Sequence, residues 1–94
     1  MYKVVLTHEV LPGKLAQVIQ WLKEGDERGR KRNPDFQPPT RYITVYGSVH
    51  QIVIEVEHDT IPDGVYAEAT HNKGLLPLIV PGRTELRLLK KIEV

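Results

Sequence analysis

Hydrophobic positions along the chain change their spacing several times, and each change marks an element. Tyr2 to Val10, YKVVLTHEV, is rich in β-branched residues, carries little helix signal and stops at Pro12 and Gly13, which predicts a first strand. From there Leu15, Val18, Ile19 and Leu22 recur at three- and four-residue steps, with Trp21 on the flank. That is the stripe of an amphipathic helix, expected to open after the Pro-Gly pair and run past Gly25 toward Arg32 before Asn33 and Pro34 end it. NPDFQPP cannot be regular, because Pro38 and Pro39 lack a backbone donor and force the residues before them into extended geometry.

The next stretch, RYITVYGSVHQIVIEVE from Arg41 to Glu57, alternates with period two around Gly47 and Ser48. A two-residue type II′ turn there, with Gly47 supplying the positive φ, sets the pairs Tyr46 with Val49, Thr44 with Gln51 and Tyr42 with Val53 on one side. Val45 with His50, Ile43 with Ile52 and Arg41 with Ile54 then share the other side. Farther on, Thr60 with Asp63 three residues later resembles a capping box. Ile61, Val65 and Ala69 follow at four-residue steps, and Gly74 is placed to end a short second helix. LLPLIVPG, interrupted at Pro77 and Pro81, reads as a buried connector with one helical turn. RTELRLLKKIEV alternates again and predicts the last strand, with Leu86, Leu88 and Ile92 on one parity.

The order β-α-β-β-α-β, folded with right-handed crossovers, predicts an α+β domain of ferredoxin-like arrangement: a four-stranded antiparallel sheet with strands 1 and 3 central and both helices on one face. Its 94 residues suffice for one domain, 1–94, but not for two cores. The repeated VLPGK and IVPGR fall at non-equivalent points of that order and read as two similar turns.

Ile43, Val45, Ile52, Ile54 and Val56, with Leu86 and Leu88, match the helix stripes and should pack beneath them. The opposite face holds Tyr42, Thr44, Tyr46, Val49, Gln51, Val53, Glu55, Glu57, Glu85, Arg87 and Leu89. Strand 1 adds either Val5, Thr7 and Glu9 or Val4, Leu6 and His8, since both parities are apolar. In a lone chain the apolar members would form a patch of roughly several hundred Å², more than monomers usually leave bare. A partner should cover it.

Strand 1 leading into PGKLAQVIQWLKE, the VYGSVHQIVIEVE hairpin and the closing PGRTELRLLKKIEV together resemble the dimeric α/β-barrel superfamily, nearest to its NIPSNAP-like and small monooxygenase-like members. The resemblance covers nearly the whole chain. It implies two ferredoxin-like protomers with their open sheet faces together, enclosing a pocket between sheet and helices or between sheets. It also subtracts: haem-degrading members pair a second-helix histidine with an early-strand Asn and a nearby Trp, whereas here His71 has no Asn in strand 1 and the lone Trp21 is on the first helix. The Asn and Trp pair of cofactor-free quinone-forming monooxygenases is missing as well, so neither activity carries over and no cofactor is expected.

Within such a pocket Glu55, a carboxylate on a central strand, is the candidate catalytic base. Arg87 could pair with it or clamp a carboxylate of the ligand, Tyr42 and Tyr46 could stack on an aromatic or quinone-like ring, and Gln51 could orient it. The competing reading makes the same residues a polar lattice at a dimer interface without a ligand.

Composition narrows the choice further. Thirteen basic against twelve acidic residues give a net charge of +1, so no global field draws nucleic acid or an anionic membrane. The run ERGRKR, with Arg28, Arg30, Lys31 and Arg32, and the sheet's likeness to RNA-recognition scaffolds raise an RNA-binding alternative, but strand 3 offers acids where stacking rings belong. Those cations suit the C-terminal dipole of the first helix instead. Four histidines, His8, His50, His58 and His71, lack metal-ligand spacing and are expected to be solvated or packing groups. With no cysteine and no apolar run long enough for a signal or a membrane span, the expectation is a cytoplasmic homodimer without membrane or nucleic-acid partners, either an enzyme or a binder of a small aromatic or acidic molecule.

Overall fold

The computed structural model describes residues 1–62 and 74–94. Its elements are β1 (Tyr2–Val10), α1 (Leu15–Arg32), β2 (Thr40–Ile43), β3 (Gln51–His58), a single 3-10 turn at Leu76–Leu78 and β4 (Ile79–Lys90). The four strands form one antiparallel sheet in the order β2-β3-β1-β4, so β1 and β3 are central as the pattern predicts. The fold is α+β, one open sheet with α1 on one side. The expected second helix and His71 fall on residues 63–73 and lie outside the described residues.

Helix α1 begins and ends where its punctuation says. Pro12 and Gly13 turn the chain out of β1, with Gly13 at φ +78 and the Lys14 N–H donating to the Leu11 carbonyl at 3.0 Å. At the far end Asn33 is extended ahead of Pro34, and its N–H still reaches the Gly29 carbonyl at 3.0 Å. Arg30, Lys31 and Arg32 occupy the last turn, where cations complement the helix dipole. Val18 and Leu22 from the helical stripe are buried against Val10, Ile52, Leu75 and Ile79, and Leu15, Trp21, Ile54 and Leu78 pack around that cluster. Gly74 lies so close to the Trp21 indole that a Cβ there would stand 2.5 Å from Nε1, so the approach requires glycine.

The hairpin keeps the expected register but not the expected turn. Arg41 faces Ile54, Tyr42 faces Val53 and Ile43 faces Ile52. The ladder then stops: the Thr44 N–H donates to the Gln51 carbonyl at 3.1 Å, but the Gln51 N–H donates to the Thr44 side-chain hydroxyl at 3.0 Å. The hydroxyl stands in for the carbonyl that would have extended the ladder. Residues 45–49 therefore leave the sheet as a wide loop, and the pairs Val45 with His50 and Tyr46 with Val49 do not form. Gly47 is not at positive φ, as a type II′ turn would require.

The last strand starts earlier than its alternation indicates. The connector does contain one helical turn, and Ile79 then pairs with Val10 before the ladder resumes at Thr84 with His8. Val80, Pro81, Gly82 and Arg83 lie opposite the single residue Glu9, a bulge that suits Pro81, which has no N–H to give, and Gly82, at φ +75. Gly13 and Gly82 share a positive φ, but Pro12-Gly13 is a turn while Pro81-Gly82 lies within β4 at its bulge, so the two pairs are not the similar turns the sequence suggested.

Candidate functional site

The register settles which half of β1 faces away from the helix. Val5 stands opposite Glu55 on β3 and Arg87 on β4, while Val10 and Ile52 belong to the cluster beneath α1. Lys3, Val5, Thr7 and Glu9 thus share the open face with Thr40, Tyr42, Gln51, Val53, Glu55, Glu57, Glu85, Arg87 and Leu89. Sequence could not choose, because Val4, Val5 and Leu6 are apolar on both parities.

This face has an apolar floor between charged walls. Val5 is only 3% exposed although it lies outside the helix-side cluster, and Glu55 and Arg87 stand on either side of it. Across β1 the backbones carrying Glu55 and Arg87 are two strand spacings apart, roughly 10 Å. Each finds a nearer partner. Glu55 pairs with Lys3 at 3.7 Å, Lys3 also reaches Glu57 at 3.9 Å, and Arg87 Nε lies 3.2 Å from Glu85. Of the two roles open to Arg87 in the sequence, direct pairing with Glu55 is not formed, because β1 lies between the two strands that carry them.

The remaining expected residues divide. The Glu55 side chain is 21% exposed, the most sheltered carboxylate of the face's ion pairs, and Gln51 is half-buried farther along β3, with Val53 between them. Tyr42 shares the face and is 55% exposed. Tyr46 does not join them within the chain: it belongs to the loop after Thr44 and is 99% exposed. Val45, expected under the helices, is likewise in that loop and 94% exposed. Four carboxylates, Glu9, Glu55, Glu57 and Glu85, share the face with two cations, Lys3 and Arg87, so the field there is acidic.

A second polar group lies on the helix side. His8 is 2% exposed, and its Nδ1 is 2.8 Å from the Thr84 hydroxyl, its register partner on β4. Nε2 is buried and has no hydrogen-bond partner among the described residues. Desolvation lowers the pKa of this imidazole below 6.5, so it is neutral at pH 7. The signal available in sequence was a lone histidine on the parity shared by Leu6 and Val10. His50 is exposed and His58 half-buried. Among the described residues, no three His, Cys, Asp or Glu side chains gather closely enough to hold a metal ion.

Helix and sheet edge are tied by an ion pair that sequence reading missed. Arg41 donates from Nη1 to Asp26 Oδ2 at 2.6 Å and from Nη2 to Oδ1 at 2.7 Å. The pair is mostly buried and holds β2 against α1. Arg41 was legible as a charge on the helix side of an edge strand, which demands a counterion; nothing in the letters said that Asp26 supplies it.

No helix among the described residues is long and apolar enough to cross a membrane. No protein-family model matches this chain, and no curated protein matches it.

Proposed function

We propose that the protein is a cytoplasmic homodimer of the dimeric α/β-barrel kind, two open sheet faces closing over a pocket that takes a small aromatic molecule. The observation that carries this reading is the open face: a buried Val5 floor, Val53 and Tyr42 beside it, and the Glu55–Lys3 and Glu85–Arg87 pairs as walls. A face so mixed is half-prepared for burial, and ligand sites characteristically combine apolar lining with a few placed polar groups. Tyr42 offers a ring to stack on, Gln51 an amide to orient a polar substituent, and Glu55 the carboxylate that would accept a proton were the site catalytic. Arg87 would bind an acidic ligand only by leaving Glu85, and the four carboxylates disfavour that, so a neutral or cationic aromatic ligand suits the face better.

Sedimentation at micromolar protein, followed by thermal-shift screening of phenols, quinones and aromatic amines, tests the reading. The expected result is a dimer whose stabilisation by at least one aromatic probe falls in Glu55→Gln and Arg87→Ala. A monomer of 10.8 kDa overturns the dimer. A dimer stabilised equally in wild type and both variants overturns the pocket and favours a ligand-free interface built from the same residues.

A further inference from the structure

We infer that residues 45–49, VYGSV, form an arm that leaves its own sheet and closes over the open face of a second copy, so that Tyr46 lines the partner's pocket. This rests on the homodimer proposed above.

The chain exits the sheet at a defined place. Thr44 diverts the Gln51 N–H onto its own hydroxyl, which ends the ladder and splays the strands. Beyond that clasp Val45 and Tyr46 are almost fully exposed, and Val49 remains 41% exposed. Among the described residues, nothing shelters Val45 or Tyr46. A fully exposed tyrosine presents about 200 Å², and with Val45, Val49 and the half-exposed Tyr42 at its base the segment offers roughly 400 Å², about half of the ~800 Å² each partner buries in a standard interface.

Three features select a second copy as the occupant. Tyr42 lies on the open face and Thr44, two residues on, bonds Gln51 at the same strand end, so the arm begins at the border of the proposed interface. Residues 44–49 carry no charge, so their burial costs no ionic desolvation. The open face has a surplus of carboxylates over cations, and the Tyr46 phenol supplies a hydrogen-bond donor to such an acceptor. The same arrangement explains why a tyrosine on the expected face of the hairpin contributes nothing to the site of its own chain: the pocket is complete only when the arm of the other protomer is in place.

The chain has no cysteine, so Ser48→Cys provides one attachment point for a nitroxide while leaving Tyr46 in place. Labelled protein is mixed with isotopically labelled wild type, subunits are exchanged at dilution, and dimer content is read by sedimentation. The expected result is intermolecular broadening of the Val5, Thr7, Val53 and Glu55 amides by the Ser48→Cys label, while Val18 and Leu22 in α1 stay sharp. Tyr46→Ala should also raise the dimer dissociation constant by about tenfold or more, as for an interface anchor. A confirmed dimer with broadening absent or confined to α1, or with a dissociation constant unchanged by Tyr46→Ala, overturns the arm and leaves the dimer standing. A monomer in sedimentation overturns both.

Discussion

Cutting the Asp26–Arg41 pair should loosen the edge strand that carries Tyr42. Strand β2 is only four residues long, and its register partners are all on β3. Its other anchor is the two-bonded grip of Arg41 on Asp26, at 2.6 and 2.7 Å. In Asp26→Asn the charge is lost with little change of shape, and the guanidinium, 22% exposed, is left without its counterion. Removing one partner of a fully buried pair costs about 3–5 kcal/mol; residual exposure of both side chains reduces the expectation to about 2 kcal/mol. Arg41→Met keeps most of the stem and removes the charge. In the double variant no ion is stranded, so the coupling energy should be about 1.5 kcal/mol. Urea unfolding at pH 7 measures all four proteins, at one protomer concentration because a dimer's stability depends on it. Additivity within about 0.3 kcal/mol would refute the clamp.

The same pair makes a pH signature. The hydrogen bond from Arg41, more than its charge at a distance, holds the Asp26 carboxyl below its ordinary 3.8. A depressed carboxylate contributes stability that is present above 3.8 and lost as pH falls toward the folded-state value, because the unfolded chain takes up the proton first. Asp26→Asn should therefore lose the acid-dependent part of its deficit relative to wild type as pH falls below about 4.

Three further outcomes follow from named contacts. Burial of His8 lowers its folded pKa below 6.5, so stability should fall as pH drops below 6.5, by at most about 1.4 kcal/mol per pH unit, and His8→Gln should flatten that slope; a His8 ring titrating at or above 6.5 by NMR would contradict it. Gly74→Ala drives a methyl to 2.5 Å from Trp21 Nε1 and should destabilise by about 1–3 kcal/mol with a shift in tryptophan emission, whereas unchanged emission and stability would refute the close approach. Thr44→Val removes the acceptor of the Gln51 N–H and should cost about 1 kcal/mol with faster amide exchange at Gln51, and retained protection there would show that the ladder continues without the hydroxyl.

What could be read from the letters was what local spacing controls. Helix α1 was bounded by Pro12-Gly13 and Asn33-Pro34, the pairing of Tyr42 with Val53 followed from alternation, and the central place of β1 and β3 followed from the order of elements. What could not be read depended on a choice between chemically equal options. Gly47 fitted a tight turn on composition, but a threonine three residues earlier could end the ladder with its side chain, and that competition is decided by geometry. In β4 the alternation began at Arg83, and Pro81 hid Ile79, which pairs with Val10 beyond the bulge.

The site shows the same division at longer range. Strand order places β1 between Glu55 and Arg87 and gives each a nearer partner, whereas the sequence left their pairing open because both face one way. Sharing a face is a property of parity, whereas touching requires adjacency, and only the topology supplies the second. The consequence for function is specific. Glu55 and Arg87 form two separate polar walls with Val5 between them, so a ligand spanning roughly 10 Å could meet both while its body lies on the valine. A flat ring with polar groups at opposite ends satisfies that spacing, and a compact acid does not, which is a reason independent of the surplus carboxylates to seek an aromatic guest.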